Sequence, residues 1–166
     1  MDNILKNMNL GVDGRGYAGK VLELTKPNLT IMQEDYRAGG MDSAVGLDMG
    51  MEKMEASAVL GSYDKEVLKL WGLAPGNDVP LTFKGALQND DGSVDQVLVQ
   101  MRGTITGLDS GTWKPGEVAN LTITMNPHYY KETVAGDVVH EIDVKNMIRI
   151  VNGVDQLAGI REAIAI

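Results

Sequence analysis

The stretch DQVLVQMRGTIT, residues 95–106, decides the fold. Gln96, Gln100, Arg102, Thr104 and Thr106 share one parity, interrupted by Leu98, while Val97, Val99, Met101 and Ile105 take the other. A two-residue period of this kind belongs to a strand with one dry and one wet face. Residues 117–126, EVANLTITMN, repeat it: Asn120, Thr122, Thr124 and Asn126 stand opposite Ala119, Leu121, Ile123 and Met125. Two long half-buried strands of this type predict a mainly β chain.

Outward from this pair the same signals recur. Residues 79–87 read as a strand, and Asn89-Asp90-Asp91-Gly92 reads as the turn that joins it to residue 95. The stretch HYYKETV-AGD-VVHEIDV reads as a hairpin turning at Ala135, Gly136 and Asp137. Between Lys53 and Leu60 the chain alternates, with Lys53, Glu55 and Ser57 on one face and Met54, Ala56, Ala58 and Leu60 on the other. Residues 20–36 give two strand-like pieces parted by Pro27, and residues 37–50 give a long loop with four glycines. One helix is expected, capped by Ser62, carrying Tyr63, Val67, Leu70 and Trp71, and ended by Gly72 and Pro75. A short C-terminal helix is expected around Leu157, Ile160 and Ile164. No linker or repeat divides residues 1–166, so a single domain is expected.

Composition removes whole classes of function. The 166 residues include no cysteine, which excludes disulfides, thiolate metal sites and thiol catalysis. A formal charge of −8 with no basic stripe excludes affinity for nucleic acid by counterion release. No apolar run spans a bilayer, and the first residues lack the pattern of a signal peptide.

The motifs that suggest chemistry fail on context. Gly14-Arg15-Gly16-Tyr17-Ala18-Gly19 matches G-x-G-x-x-G, but no strand pattern precedes it and no helix pattern follows, so it reads as a turn before the first strand. The acidic run from Asn89 to Asp95 cannot be a calcium loop, because its Gly92 would place Leu87 at the first ligand position. His128 and His140 lie on one expected hairpin, but Glu141 has the opposite parity from His140 and the three do not converge. No nucleophile elbow or carboxylate pair is present. These residues call for no enzyme, cofactor or metal. Long one-face-polar strands need covered edges, which another copy of the chain can supply.

Two stretches carry a resemblance. Tyr36-Arg37-Ala38-Gly39-Gly40-Met41-Asp42, continuing to Leu47-Asp48-Met49-Gly50-Met51-Glu52, resembles the signature of major tail tube proteins of contractile-tailed, myovirus-type phages and of R-type pyocin tubes. Tyr129-Tyr130-Lys131, then Glu141-Ile142-Asp143-Val144, then residues 152–161 are similar to the family's C-terminal third in the same order. Leu108-Asp109 and Trp113-Lys114-Pro115-Gly116-Glu117 resemble the pyocin tube. The resemblance implies a non-enzymatic subunit, a small β-barrel or sandwich with a flanking helix and a short C-terminal helix.

Six such subunits would form a ring whose hairpins join into a continuous inner β-barrel. Rings would stack into a conduit within a contractile sheath, for genome delivery or envelope puncture. The implied partners are other copies, sheath, baseplate, tail terminator, a tape-measure protein in the lumen, and DNA in transit without specific binding. The implied location is the virion tail, after assembly in the host cytoplasm, with no membrane insertion of the subunit. The loop with Tyr36, Arg37, Gly39, Gly40, Met41, Asp42, Asp48 and Met49 resembles the family's extended loop between subunits and rings. By strand parity the lumen-facing candidates are Lys53, Glu55, Ser57, Gln96, Gln100, Arg102, Asn120, Thr122 and Thr124. An acidic lumen would repel DNA and let it slide. The alternative from another class is a monomeric β-barrel that holds a small ligand.

Overall fold

The computed structural model describes residues 2–165. The long alternating stretches become the longest strands. Val94–Asp109 is one 16-residue strand and Leu121–Val134 one of 14, paired antiparallel over most of their length. In chain order the strands are β1 (Ile4–Val12), β2 (Arg15–Gly16), β3 (Val21–Thr25), β4 (Ile31–Tyr36), β5 (Val45–Met51), β6 (Ala56–Leu60), β7 (Val79–Gln88), β8 (Val94–Asp109), β9 (Leu121–Val134), β10 (Asp137–Asp143), β11 (Ile148–Val151) and β12 (Val154–Asp155). Helices are α1 (Lys65–Leu68) and α2 (Ala158–Ala163).

The main sheet runs β12-β11-β10-β9-β8-β7-β1-β2, with β6 and then β3 branching from β9. The branch arises because neither β6, with 5 residues, nor β10, with 7, is long enough to cover the second edge of the 14-residue β9. On one edge it keeps β8 throughout. On the other, its first half pairs with β6 (Ala56↔Met125 to Leu60↔Leu121) and its second half with β10. Pro127 sits in the gap between the two partners, where a missing N–H leaves no ladder bond unmade. There His128 is an extra residue, since Arg102 faces Tyr129 while Gly103 faces Pro127. This bulge moves the inward set of β9 from Leu121, Ile123 and Met125 to Tyr130. Residues 117–134 therefore do not form two strands, as the sequence pattern suggests. They form one strand that begins at Leu121 and changes parity at a bulge.

The same crossing explains Gly103. A Cβ there would collide with the Asn126 carbonyl oxygen and lie 2.7 Å from Pro127 Cα, both backbone atoms that cannot swing aside. The hairpin of β9 and β10 closes on Ala135 and Gly136, both at positive φ (51° and 87°), as a two-residue turn twisted to match its strands.

The sheet curls around one core. Leu10, Leu60, Leu81, Val99, Met101, Leu121, Ile123 and Met125 are each essentially fully buried. Removing such a side chain from water is worth about 1.5–3 kcal/mol. Val67 of α1 plugs one side. The helix is a single turn, shorter than the expected 62–71, and its cap is Asp64, whose carboxylate accepts from the Glu66 amide at 2.9 Å. Tyr17 also meets Asp64, and burial together with that hydrogen bond pushes its phenol up to about 12.

A strand does precede the glycine motif, contrary to the sequence expectation. Val12 and Arg15 pair across the turn that holds Gly14. The chain then enters β3, not a helix, so the motif is a β-turn segment that seats Tyr17 in the core. The half-exposed first part of β1 hides its periodicity. The α2 end is tied back by Arg161, which donates to the Met147 carbonyl at 2.8 Å and pairs with Asp155.

Candidate functional site

Two surfaces stand apart from the core. The first is the outer face of the curled sheet. Rows of paired residues cross it: Thr82, Gln100, Lys131 and Glu141 lie side by side on β7, β8, β9 and β10, and the next row is Pro80, Arg102, Tyr129 and Asp143. Arg102 stacks over its cross-strand neighbour Tyr129, 4.3 Å from the ring centroid, which fixes the guanidinium on the surface. Beyond the bulge the face continues through Thr124 beside Ser57 and Thr122 beside Val59.

None of the nine residues nominated by parity points into the core. Lys53, Glu55, Gln96, Gln100, Arg102 and Asn120 are exposed, and Ser57, Thr122 and Thr124 are half-buried on the side away from the core. Lys53 and Glu55 lie in the connector before β6 and not within a strand. Charges on this face are mixed: Lys84, Arg102 and Lys131 share it with Glu141 and Asp143. The acidic excess of the chain is concentrated elsewhere, much of it on the second surface.

That second surface is where sequence reasoning went wrong. Residues 37–50 are not a long loop. Val45–Met51 is a strand paired with Ile31–Tyr36 in a separate two-stranded sheet, and only 37–44 form the connecting loop. No residue of this hairpin is buried. Tyr36 faces Val45 and Glu34 faces Leu47, which places Met32, Glu34, Tyr36, Val45, Leu47 and Met49 on one face and Gln33, Asp35 and Asp48 on the other. Five large apolar side chains, each about half exposed, thus form an uncovered stripe.

The signal was present: Val45, Leu47, Met49 and Met51 alternate with Gly46, Asp48 and Gly50. Glycine at the alternate positions disguised a strand as a loop. At the tip, Arg37 donates to the Met41 carbonyl at 3.1 Å and Gly40 adopts φ 86°, while Gly39 and Asp42 are exposed. At the base, Asp48 accepts from the Gly50 amide and from Arg149 Nη2, both at 2.8 Å, and these bonds hold its carboxyl below the usual range. The signature residues are therefore collected on one protruding arm, with Asp48 as its tether to β11.

The histidines do not meet at a metal site. His128 Nε2 lies 2.8 Å from Asp78 and lowers that carboxyl's pKa, whereas His140 stands opposite Glu132. Among the described residues no cluster of histidine and carboxylate is arranged to hold a metal ion. Glu132 is the most enclosed acid described in an ion pair. Burial raises its pKa, but hydrogen bonds from Lys26 at 2.8 Å and the Tyr130 hydroxyl at 2.7 Å outweigh that and hold it low.

Comparison with known proteins identifies relatives along most of the chain. The sequence profile of the phage tail tube protein FII family matches residues 2–164. The tail tube protein of Escherichia phage P2 is 37% identical over 163 residues, covering 95% of this chain and 94% of that protein. The major tail tube protein of Serratia phage KSP20 is 35% identical over 146 residues, covering 87% and 84%. Among solved structures, a chain of the sheath–tube complex of an extracellular contractile injection system (PVC, extended state) has a similar fold. Its TM-score is 0.58 at 14% identity, over 76% of this chain and 88% of that one.

Proposed function

The chain belongs to the phage tail tube protein FII family, and from that premise we propose that six copies close into a ring whose outer sheet faces, as seen in the single chain, become the wall of a lumen. Rings stack into the inner tube of a contractile tail or tail-like particle. The observation that carries this reading is a largely polar sheet face, interrupted by Leu98 and Val59 and backed by a dry core. Gln96, Gln100, Arg102, Asn120, Thr122 and Thr124 lie on it, continued by Ser57, Glu55 and Lys53. A conduit wall needs this layering, wet toward the channel and apolar behind.

Mixed charges and many neutral polar groups on this face support a wall that neither grips nor strongly repels DNA, in place of an acidic one. The protruding hairpin, with Tyr36, Arg37, Gly39, Gly40, Met41, Asp42, Asp48 and Met49, serves as the contact between subunits and rings. Sheath, baseplate, tail terminator and tape-measure protein are the remaining partners, and one domain over residues 1–166 performs the whole structural task. A ligand-binding monomer fits less well, because Leu81, Met101, Ile123 and Met125 fill the space where a ligand would sit.

Electron microscopy of the purified chain across concentrations, alone and with a tail seed, with mass measurement on the same sample, tests the proposal. Rings or hollow tubes of sixfold mass support it. Monomers under every condition, seed included, would sink it.

A further inference from the structure

We infer that Met32 and Met49 form an oxidisable face on the protruding hairpin, through which a hydroperoxide takes a free subunit out of assembly and sulfoxide reduction returns it. The inference rests on the ring reading, in which the hairpin is a contact between copies, and adds a chemical control on that contact.

The sequence concentrates thioethers there. Five of the ten methionines, Met32, Met41, Met49, Met51 and Met54, lie within residues 32–54. Strand register brings two of them together. Ile31 faces Met51 and Gln33 faces Asp48, so Met32 stands opposite the bulged pair Met49 and Gly50. Gly50, at φ 97°, takes the conformation that the bulge requires. Met32 and Met49 share the face of Tyr36, Val45 and Leu47, and are 44% and 54% exposed.

The other methionines are graded by their surroundings. Met54, Met101 and Met125 are buried in the core, out of reach of dissolved peroxide. Met41, at the hairpin tip, is half-buried, and its sulfur accepts the Ala38 amide at 3.2 Å, which ties up a lone pair. Met147 is as exposed as Met32 but lies in the turn between β10 and β11, off the hairpin. With no cysteine in the chain, no thiol competes for the oxidant.

The reaction is an oxygen-atom transfer. The thioether sulfur attacks one peroxide oxygen, an S–O bond forms and the O–O bond breaks. The proton on the transferred oxygen passes to the departing hydroxide, which leaves as water. Sulfur is oxidised by two electrons and the peroxide is reduced by two. In the reverse direction a dithiol supplies two electrons and two protons, giving thioether, water and a disulfide.

The product is polar, chiral and hydrogen-bond accepting where an adaptable apolar chain stood. In the free subunit both sulfurs already face water, so oxidation leaves the fold intact. At an apolar contact the same oxygen would be taken out of water without a partner. Oxidation therefore separates folding from assembly, and a hairpin already seated in a ring is shielded from it.

The test adds hydrogen peroxide to the purified free chain and weighs its peptides. Met32 and Met49 should gain one oxygen each before Met41 and long before Met54, Met101 and Met125, with no change in unfolding midpoint. The concentration needed for assembly, alone or on a tail seed, should rise at least tenfold, about the effect of burying unpaired polar groups. Reductases for both sulfoxide epimers, with a dithiol, should return it to the untreated value. The double variant Met32→Leu/Met49→Leu, judged against its own untreated sample, should hold its threshold although Met147 is oxidised. Equal oxidation of core and hairpin methionines overturns the inference and leaves the ring reading standing. So does an unchanged threshold once Met32 and Met49 are fully oxidised, or a double variant that peroxide impairs as much as wild type. An untreated chain that never assembles, seed included, overturns both.

Discussion

Strand β6 and strand β5 are near neighbours in the chain and both alternate, yet they behave as opposites. Ala56, Ala58 and Leu60 of β6 are buried between β3 and β9, with polar Ser57 turned outward. Val45, Leu47 and Met49 of β5 are as apolar, and none is covered. Burial of the first set stabilises the single chain. The second set contributes little to the single chain while it stays uncovered, and in the proposed ring its place is at a contact between copies. A strand's apolar face therefore reports where contact is made, and not whether the contact lies within the molecule.

Substitutions can break this contrast. The largest effect is expected from Gly103→Ala, which forces apart the backbones of β8 and β9 at their bulge. A loss of about 3 kcal/mol or more is expected, visible as a lower unfolding midpoint in urea. Next comes a matched pair. Leu121→Ala removes a fully buried side chain and should cost about 2–5 kcal/mol. Leu47→Ala, half exposed, should shift stability by less than about 0.5 kcal/mol while impairing assembly as judged by sedimentation. Equal losses of monomer stability would erase the distinction.

Glu132→Gln should cost about 1 kcal/mol by weakening the bonds from Lys26 and Tyr130. Its pH dependence has a definite sign. The folded carboxyl titrates below its unfolded value near 4.3, so its contribution is present above that pH and is lost as pH falls through the lower folded value. Acid titration of wild type and variant should converge below that range. The smallest effect belongs to Arg149→Met, which frees the Asp48 tether. Amide exchange in Val45–Met51 should quicken with no change in Tm.

Much of the fold was legible in the sequence. Alternation at 95–106 and 117–126 set the faces of β8 and β9, and Asn89 to Gly92 and Ala135-Gly136 marked their turns. What was hidden followed from tertiary partnership. Nothing local says that β9 passes through Pro127 unbroken, because that depends on β6 ending where β10 begins. The helix starts later than Ser62 suggested because Asp64, also bonded to Tyr17, caps it through the Glu66 amide. The side away from the core was readable from parity for the strand residues Ser57, Gln96, Gln100, Arg102, Thr122 and Thr124. The hairpin's apolar face was obscured because glycine, which usually signals a loop, here alternates with Val45, Leu47 and Met49.

The most direct test is a cryo-electron microscopy reconstruction of the assembled particle, detailed enough to place side chains. The account predicts sixfold rings with Gln96, Gln100 and Arg102 on the lumen wall and each β4–β5 hairpin seated on another copy. Rings in which that polar face points outward, with the hairpins uncovered, would contradict it.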